Sequence, residues 1–341
     1  MAPHPKRPTP NAQSRIDAVD ALRGFTVAAM LLVNNPGTWS TIYPPLRHAE
    51  WHGWTPTDLI FPFFLFIVGI TTELSRKEPR GIVKRGGLII LCGLFLNAFP
   101  YFALSELRVT GVLQRIGIVY IVSALIAWKA SRRTIAAIVV AILLGYWAIL
   151  SLGPLAPPEA TIAAQVDRAL IPEPHLWKQS RTWDPEGPLS TIPAVATALL
   201  GVLATPWVRT KNIKMLTISG AAAIVLGLAW SYVFPINKNL WTSSYVLFTA
   251  GAASVVLALW LWKLPAHPFV VFGVNPLVAF VGSGMLARLL GLTKLQPLSY
   301  RTLFKPYFEP QLASLLWALA FVFFWYLVLL VLYRKRIFVR V

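Results

Sequence analysis

The stretch LASLLWALAFVFFWYLVLLVLY, residues 312–333, contains 22 residues and no charged side chain. As a helix it would extend about 33 Å, enough to cross the ~30 Å hydrocarbon core of a bilayer. Three basic residues follow it at once, Arg334, Lys335 and Arg336. A long apolar run with a basic end is typical of a transmembrane helix. We therefore predict such a helix at the end of the chain.

Apolar runs of this kind recur along the whole chain of 341 residues. We predict ten spans, at residues 18–34, 57–74, 84–102, 109–128, 134–152, 189–207, 213–234, 240–262, 268–290 and 312–333. Backbone groups in lipid must pair within their own segment, and the runs lack the alternation of barrel strands. The predicted fold class is all-α, a polytopic membrane bundle of about ten transmembrane helices.

The charges are few and mostly positive, with 31 Lys and Arg against 13 Asp and Glu and a net charge of +18. The two tails and alternate loops carry 19 of the basic residues, whereas the opposite, longer loops carry nine. The positive-inside rule therefore predicts that both termini are cytoplasmic. Because topology explains most of the excess positive charge, we do not expect a nucleic-acid partner.

The chain is predicted to form one domain behind a short tail. Residues 1–17 contain prolines and basic residues but no apolar signal segment, so we expect a disordered cytoplasmic tail. Residues 18–341 form the transmembrane domain, with long external loops at 35–56, 153–188 and 291–311. The single cysteine, Cys92, lies in an apolar run and supports neither a disulfide framework nor a cysteine metal site.

The densest polar segment is RHAEWHGWTPTDLIFP, residues 47–62, in the first long loop. His48 and His52 are four residues apart, but the prolines and glycine around them disfavour a helix, so we predict no metal site. Asp58 lies at the start of the second span, where Thr55 or Thr57 could cap the helix, and its carboxylate could also orient an imidazole and hold its tautomer. An imidazole beside a carboxylate is suited to general base catalysis near neutral pH.

Several polar residues lie within the predicted spans, where a charge is costly. Asp20 and Arg23 are three residues apart in the first span, close enough on a helix to pair. Asn34, at the end of that span, could simply terminate the helix. Arg115 lies about 9 Å inside the outer edge of its span and needs an anionic partner. A structural ion pair, a cluster of carbonyls or a bound ligand would each satisfy it.

The external loops combine aromatic and acidic side chains in a pattern that suits an amino sugar. These candidates for substrate binding are Trp51, Trp183, Asp184, Glu186, Trp241, Ser243 and Ser244. Each also has a structural interpretation: an aromatic belt for the tryptophans, turn formation for the acidic residues, and helix packing for the serines. The sequence leaves both interpretations open.

Together these motifs resemble the heparan-α-glucosaminide N-acetyltransferase family, and the bacterial members of the NagX type in particular. The segments that carry the resemblance are Val19-Asp20-x-x-Arg23-Gly24, His48-Ala49-x-Trp51-x-Gly53-x-Thr55-x-x-Asp58, Gly111-Val112-Leu113-Gln114-Arg115, Asp184-Pro185-Glu186-Gly187 and Leu240-Trp241-Thr242-Ser243-Ser244-Tyr245. The resemblance implies a membrane enzyme that moves acetyl from cytosolic acetyl-CoA to an amino sugar, without a metal. It also suggests a homodimer. With no organelle signal visible, we expect the bacterial inner membrane.

The resemblance also implies roles for individual residues. It makes His48 the catalytic residue, as base or as acetyl acceptor, with Asn34 assisting and Asp58 orienting the ring. We expect the His48 imidazole to be buried and to meet a thioester delivered from the cytoplasmic side. The residues expected to bind acetyl-CoA are Arg23, Arg76, Lys77, Lys84, Arg85, Gln114 and Arg115.

The leading hypothesis is acetyl transfer to the amino group of periplasmic glucosamine or a glucosamine-containing saccharide. Two alternatives stay open. The protein could be an inner-membrane transporter of amino sugars such as N-acetylglucosamine, or it could acetylate a hydroxyl of a surface glycan. Direct transfer and an acetyl-His48 intermediate are both compatible with the sequence.

Overall fold

The structure, a computed structural model, describes residues 16–75 and 77–339. Within these residues the regular secondary structure consists of thirteen α-helices and a few short 3₁₀ turns. The predicted all-α fold class is confirmed. Residues 1–15 of the predicted disordered tail lie outside the described residues, as does Arg76, whereas Asp17 already begins the first helix.

The helices follow one another along the chain, and their connections vary from two residues, as between α4 and α5, to the 25 residues between α1 and α2. They are α1 (Asp17–Asn34), α2 (Ile60–Ser75), α3 (Pro79–Ala98), α4 (Val112–Lys129), α5 (Arg132–Leu150), α6 (Ile162–Leu170), α7 (Pro188–Arg209), α8 (Ile213–Trp230), α9 (Ser243–Trp262), α10 (His267–Gly273), α11 (Pro276–Leu292), α12 (Leu295–Leu303) and α13 (Pro310–Arg334). The short helices α6 and α12 lie in two of the predicted external loops.

Eight helices in the described residues are long and apolar enough to cross a membrane, which supports an integral membrane protein. They are α2 with the turn before it, α3, α4, α5, α7, α8, α9 and α13. A ninth span results if α10 and α11, which are bent by 78° at their junction, are counted as one. The predicted count of ten is higher because it included α1, whose first two turns carry Asp17, Asp20 and Arg23.

Helices α2 and α7 form the centre of the bundle and are the most buried of the apolar helices, while α8 is the least buried. Their backbones touch through glycine. A Cβ atom on Gly69 of α2 would lie 1.8 Å from the carbonyl oxygen of Ala198, and one on Gly201 of α7 would lie 2.0 Å from that of Phe66. Small residues at such a crossing let helices approach closely in lipid. Close van der Waals packing, and not hydrophobic burial, therefore holds the two helices together.

A second close crossing joins α1 to the short helix α10. A Cβ on Gly24 would collide with the carbonyl of Phe269, so this crossing also requires glycine. Arg23 pairs with Asp20, as the sequence predicts, and its Nε donates to the Gly273 carbonyl at 2.6 Å. Beyond the break, the Asn275 side chain bonds the backbone of Ile337 and Val339 at 2.9 and 2.8 Å. The last described residues are thereby fastened to the α10–α11 junction.

The N-terminal ends of α2, α4, α7 and α9 meet at one end of the bundle, which we call the outer end. The Tyr245 hydroxyl of α9 donates to the Asp58 carbonyl, just before α2 begins. Arg115 of α4 donates to Ser190 of α7 at 2.5 Å. Four helix N-termini therefore point their free N–H groups and positive dipole ends towards the same region. The loops that precede these helices cover it.

Candidate active site

His48 and Asp58 form a close pair at the outer end. The distance from His48 Nδ1 to Asp58 Oδ1 is 2.7 Å. The Asp58 side chain is only 1% exposed, whereas that of His48 is 47% exposed. The expectation of a buried imidazole is therefore wrong, because His48 stands on a surface loop and only its carboxylate partner lies inside. The predicted orienting role of Asp58 agrees with this geometry.

Three further donors hold the Asp58 carboxylate in place. Its Oδ2 accepts from the backbone N–H of Ala49 and of Thr55, each at 3.0 Å, and from the Thr55 hydroxyl at 3.2 Å. Thr55 and Asp58 also form a capping box at the turn that starts α2. Thr55, one of the two predicted caps, therefore is the N-cap residue, and Asp58 both completes the capping box and contacts the imidazole.

Lys238 is a member of the site that the sequence argument missed. Its Nζ lies 3.1 Å from His48 Nδ1 and 3.2 Å from Nε2, and 3.8 Å from Asp58 Oδ1. Burial lowers the pKa of the Lys238 ammonium, while the charge of Asp58 acts in the opposite direction. In the sequence this lysine was counted only as an external loop charge, since it lies 190 residues from His48.

Arg108 is a second missed residue, and it neutralises two of the predicted substrate residues. Its guanidinium makes a two-pronged contact with Asp184, at 2.9 and 2.5 Å, and also donates to Glu186 at 2.6 Å. Burial opposes the charge, but the bonds to Asp184 and Glu186 raise the pKa of Arg108. Asp184 and Glu186 thus hold a cation of the protein itself, in the place where the sequence argument put a substrate amine.

Arg115 is fully inside the bundle, as its position in the span predicts. It donates to Ser190 Oγ and, at 3.3 Å, to the Gly187 carbonyl, and its guanidinium lies 5.1 Å from the Trp241 ring centroid. In the described part of the chain its Nε and Nη1 have no hydrogen-bond partner. The structural interpretation, in which carbonyl and hydroxyl groups satisfy the charge, therefore accounts for only part of its donors.

A third carboxylate, Asp167 on α6, lies beneath the Arg108 cluster. Its Oδ2 accepts from the backbone N–H of Asp184 at 2.9 Å, and its other oxygen has no hydrogen-bond partner in the described residues. Burial raises the pKa of the Asp167 carboxyl to about 6. Local sequence did not distinguish this residue, because nothing in the loop marks it as buried.

The structure brings Trp51 and Trp183 together, although 131 residues separate them in the sequence. Their ring centroids are 5.3 Å apart, and Trp177 lies 5.1 Å from Trp183 on the other side. Both contacts are edge-to-face, a favourable arrangement for aromatic pairs. Trp51 also donates from its indole N–H to the Leu155 carbonyl at 2.8 Å. Trp51, Trp183 and Trp177 therefore form a continuous aromatic surface beside the His48 loop, which we call the Trp51–Trp183 wall.

The candidates at the start of α9 have the packing role that the sequence left open. Trp241, Ser243 and Ser244 are buried. The two serine hydroxyls donate to the Leu143 and Phe234 carbonyls at 2.7 and 2.6 Å. The Trp241 indole donates to the Thr197 hydroxyl at 3.1 Å. These bonds tie α9 to its neighbours, so the three side chains support the site from within the bundle.

Asn34 lies apart from His48 and faces a different space. It lines a cavity of about 710 Å³ between the ends of α1, α11, α12 and α13, together with Trp39, Tyr300 and Arg301. His48 does not line this cavity, and no hydrogen bond joins Asn34 to His48 within the described residues. Within the described residues, the two predicted catalytic residues therefore share neither a cavity nor a hydrogen bond.

The residues predicted to bind acetyl-CoA fall at opposite ends of the bundle. Arg23, Lys77, Lys84 and Arg85 lie at the inner end, where Lys77 and Lys84 are exposed and Arg85 stacks over the Tyr120 ring at 5.1 Å. Gln114 and Arg115 lie at the outer end and are buried. Arg76 lies outside the described residues. Any single molecule that contacts both groups would have to extend through the bundle.

Comparison with known proteins supports the predicted family. Residues 15–163 match the family model described as the catalytic region of heparan-α-glucosaminide N-acetyltransferase. The matched segment contains Asn34, His48 and Asp58 but ends before the Arg108 partners at 184 and 186 and before Lys238.

Two curated relatives extend the similarity to nearly the whole chain. The chain is 28% identical to heparan-α-glucosaminide N-acetyltransferase of Mus musculus, over 97% of this chain and 61% of the relative. It is 28% identical to the Homo sapiens protein of the same name, over 96% of this chain and 60% of that one. The chain thus spans about three fifths of the length of these relatives. These matches show that the chain is similar to heparan-α-glucosaminide N-acetyltransferases along nearly its whole length.

Proposed function

We propose that this membrane protein transfers an acetyl group from acetyl-CoA to the amino group of an amino sugar, either glucosamine or a glucosamine-containing saccharide. The observation that carries the proposal is the His48–Asp58 pair, an accessible imidazole backed by a buried carboxylate. The names of the two relatives, which specify N-acetyl transfer and a glucosaminide, support the acceptor class.

The proposed chemistry follows from the orientation of the imidazole. With Nδ1–H directed at Asp58, the lone pair of His48 lies on Nε2. In direct transfer, Nε2 takes a proton from the attacking amine as the new C–N bond forms and the C–S bond breaks. The proton then passes to the departing thiolate. In the two-step route, Nε2 itself attacks the thioester and the C–S bond breaks to release the CoA thiolate. The amine then attacks the acetyl carbon, the bond from that carbon to Nε2 breaks, and the amine proton passes by way of Nε2 to the thiolate. In both routes the Asp58 charge stabilises the cationic imidazole that forms.

The direction of transfer is also part of the proposal. A CoA thioester is a polyanion that does not cross lipid, so we place its nucleotide at the basic inner end and the acceptor at the outer end. Lys77 and Lys84 are exposed at the inner end and suit phosphate groups. The Trp51–Trp183 wall offers apolar faces on which a sugar ring can pack.

The test uses purified protein in sealed proteoliposomes of known orientation. Radiolabelled acetyl-CoA is added on the inner-end side and glucosamine on the outer-end side. We expect labelled N-acetylglucosamine to accumulate on the outer-end side, and we expect the His48→Ala protein to make none. Counterflow of labelled N-acetylglucosamine without acetyl-CoA would instead indicate a transporter. A hydroxylamine-sensitive product would indicate an ester, and therefore O-acetylation.

A further inference from the structure

Lys238 occupies a defined position in the loop between α8 and α9. The backbone of Trp241 donates to the Lys238 carbonyl at 3.1 Å, and Leu240 donates to the Asn237 side chain at 2.9 Å. The neighbouring Ile236 carbonyl accepts from Gly53, in the His48 loop, at 2.8 Å. Bonds within the turn and across to the His48 loop therefore fix the lysine backbone. Its side chain is 19% exposed and lies over the imidazole.

The contacts of Lys238 and Asp58 together select one state of His48. An ionised carboxylate only accepts hydrogen bonds, so Nδ1 must carry a proton towards Asp58. An ammonium only donates, and Lys238 Nζ lies 3.1 Å from Nδ1 and 3.2 Å from Nε2, so Nε2, which does not face Asp58, is the ring nitrogen able to accept from it. A doubly protonated ring would turn an N–H towards an ammonium and is disfavoured. The arrangement of the two partners therefore favours a neutral imidazole with its lone pair on Nε2.

The other charges near this pair are few and lie farther away. Glu186 acts on Lys238 with the same sign as Asp58, and Arg115 acts with the opposite sign. His52, on the His48 loop, faces Asn237 at 3.4 Å and reaches the lysine turn without contacting His48. Among the described residues, Asp58 and Lys238 are thus the charged groups in contact with the imidazole.

We propose that Lys238 is a positioning residue that keeps His48 unprotonated and holds the lone pair on Nε2 until a substrate displaces the ammonium. Its importance for catalysis rests on the proposed function. Its effect on the protonation of His48 does not. The positive charge, and not the shape of the side chain, is what the role requires, so arginine should replace lysine whereas methionine should not.

The test measures the protonation of His48 without any turnover. Diethyl pyrocarbonate modifies only unprotonated imidazole, and the extent of modification of His48 can be followed by peptide mass spectrometry across pH 5 to 8. In Lys238→Met we expect the midpoint for His48 to move up by about one pH unit, since a positive charge in contact with the ring has been removed. In Lys238→Arg we expect it to stay close to that of the wild type.

Two further variants, one control and one second neutral substitution, complete this measurement. Lys178→Met removes an exposed lysine that pairs with Glu106 elsewhere on the outer loops, and it should leave the His48 midpoint unchanged. Lys238→Gln is a second neutral variant with a side chain that still donates, and its midpoint should move like that of Lys238→Met. An unchanged midpoint in a folded neutral variant overturns the proposal.

Activity provides the second readout and separates the two proposals. If the protein transfers acetyl, the midpoint of the acidic limb in the pH profile of kcat/KM should move to higher pH by the same amount in Lys238→Met. In Lys238→Arg this midpoint should lie close to the wild-type value. A change in rate without a move of this limb would mean that Lys238 is merely structural. If neither the wild type nor any variant transfers acetyl but the His48 modification midpoint moves in Lys238→Met, the proposed function fails while the inference about Lys238 stands.

Discussion

The two ends of the bundle use their charged residues in different ways. At the outer end, acids and bases from separate loops meet: His48 and Lys238 meet Asp58, and Arg108 meets a pair of carboxylates. At the inner end, cations bind backbone carbonyls near helix C-termini, and the Arg23–Asp20 pair joins residues one turn apart on α1. Arg23 donates to the Gly273 carbonyl at 2.6 Å and Arg209 donates to that of Glu73 at 2.8 Å.

This difference shows that a high density of charge is not by itself evidence of a catalytic site. The inner cations satisfy carbonyls that a helix end leaves free, and they stand where membrane topology favours positive charge. The outer groups are fewer, yet Asp58 and Asp184 each have several donors around them and one partner that solvent can reach. We therefore place the chemistry at the outer end, and the following predictions test that assignment.

The largest effect should come from removing the accessible imidazole of the outer end. His48→Ala should lower the rate of acetyl transfer at least about 10³-fold, because the proton acceptor or nucleophile is lost. The matched control is His267→Ala, which removes a histidine that faces Tyr333 at the inner end and should transfer at the wild-type rate. Both rates are measured by product formation in proteoliposomes. Equal rates in the two variants would contradict the assignment.

The next effect concerns the stability of the outer end. Arg108→Met leaves the buried Asp184 and its neighbour Glu186 without their cation, and should cost about 3 kcal/mol of unfolding free energy. Lys178→Met breaks an exposed ion pair in the same loops and should cost no more than about 0.5 kcal/mol. Denaturation by SDS in mixed micelles measures both. If the two variants are equally stable, the Arg108 cluster does not support the site.

A somewhat smaller effect should distinguish binding from catalysis at Asn34. If its amide stabilises the oxyanion, Asn34→Ala should lower kcat about 10²-fold and leave KM for acetyl-CoA nearly unchanged. Asn35→Ala should change kcat by less than about 3-fold, since the Asn35 amide is already bonded to the Leu31 carbonyl. Steady-state kinetics at several acetyl-CoA concentrations separate the two constants. A change in KM alone would make Asn34 a binding residue of its cavity.

The pH dependence of stability should also differ between the ends. The pKa of Asp167 is raised by burial from 3.8 to about 6, so the folded state keeps this proton where the unfolded chain has lost it. Stability contributed by the protonated carboxyl is therefore lost as pH rises from about 4 to 6.

Asp167→Asn should remove this loss and be about 2 kcal/mol more stable than the wild type at pH 7, with little difference at pH 4. The control is Asp17→Asn, which removes an exposed carboxyl at the inner end. SDS denaturation at the two pH values gives the comparison. If the difference in stability between the wild type and Asp167→Asn is the same at both pH values, the effect is refuted.

The smallest effect should come from the inner end. Arg209→Met removes one hydrogen bond to the Glu73 carbonyl and should cost about 1 kcal/mol of stability while acetyl transfer continues at the wild-type rate. The same denaturation and transfer assays report both quantities. A large rise in KM for acetyl-CoA without a loss of stability would instead make Arg209 a nucleotide-binding residue, and would weaken the distinction between the two ends.

Parts of the site followed from local sequence because the residues lie close together in the chain. His48 and Asp58 are ten residues apart, and the Thr55–Asp58 capping box lies within four residues. The pairing of Asp20 with Arg23 is likewise a one-turn relation. Lys238 and Arg108 could not be selected in this way, since their partners lie 190 and 76 residues distant and only the packing of α2, α4, α7 and α9 brings them together.

Long uncharged runs were sufficient to define an all-α membrane bundle, because a backbone in lipid must satisfy its own hydrogen bonds. The sequence also carried the resemblance to heparan-α-glucosaminide N-acetyltransferases and the pairing of His48 with Asp58. Tertiary structure alone decided which polar residues became packing contacts, as with Ser243 and Ser244, and which cation faced which acid. Burial and electrostatic partnership depend on the positions of distant segments in space, and spacing along the chain does not specify those positions.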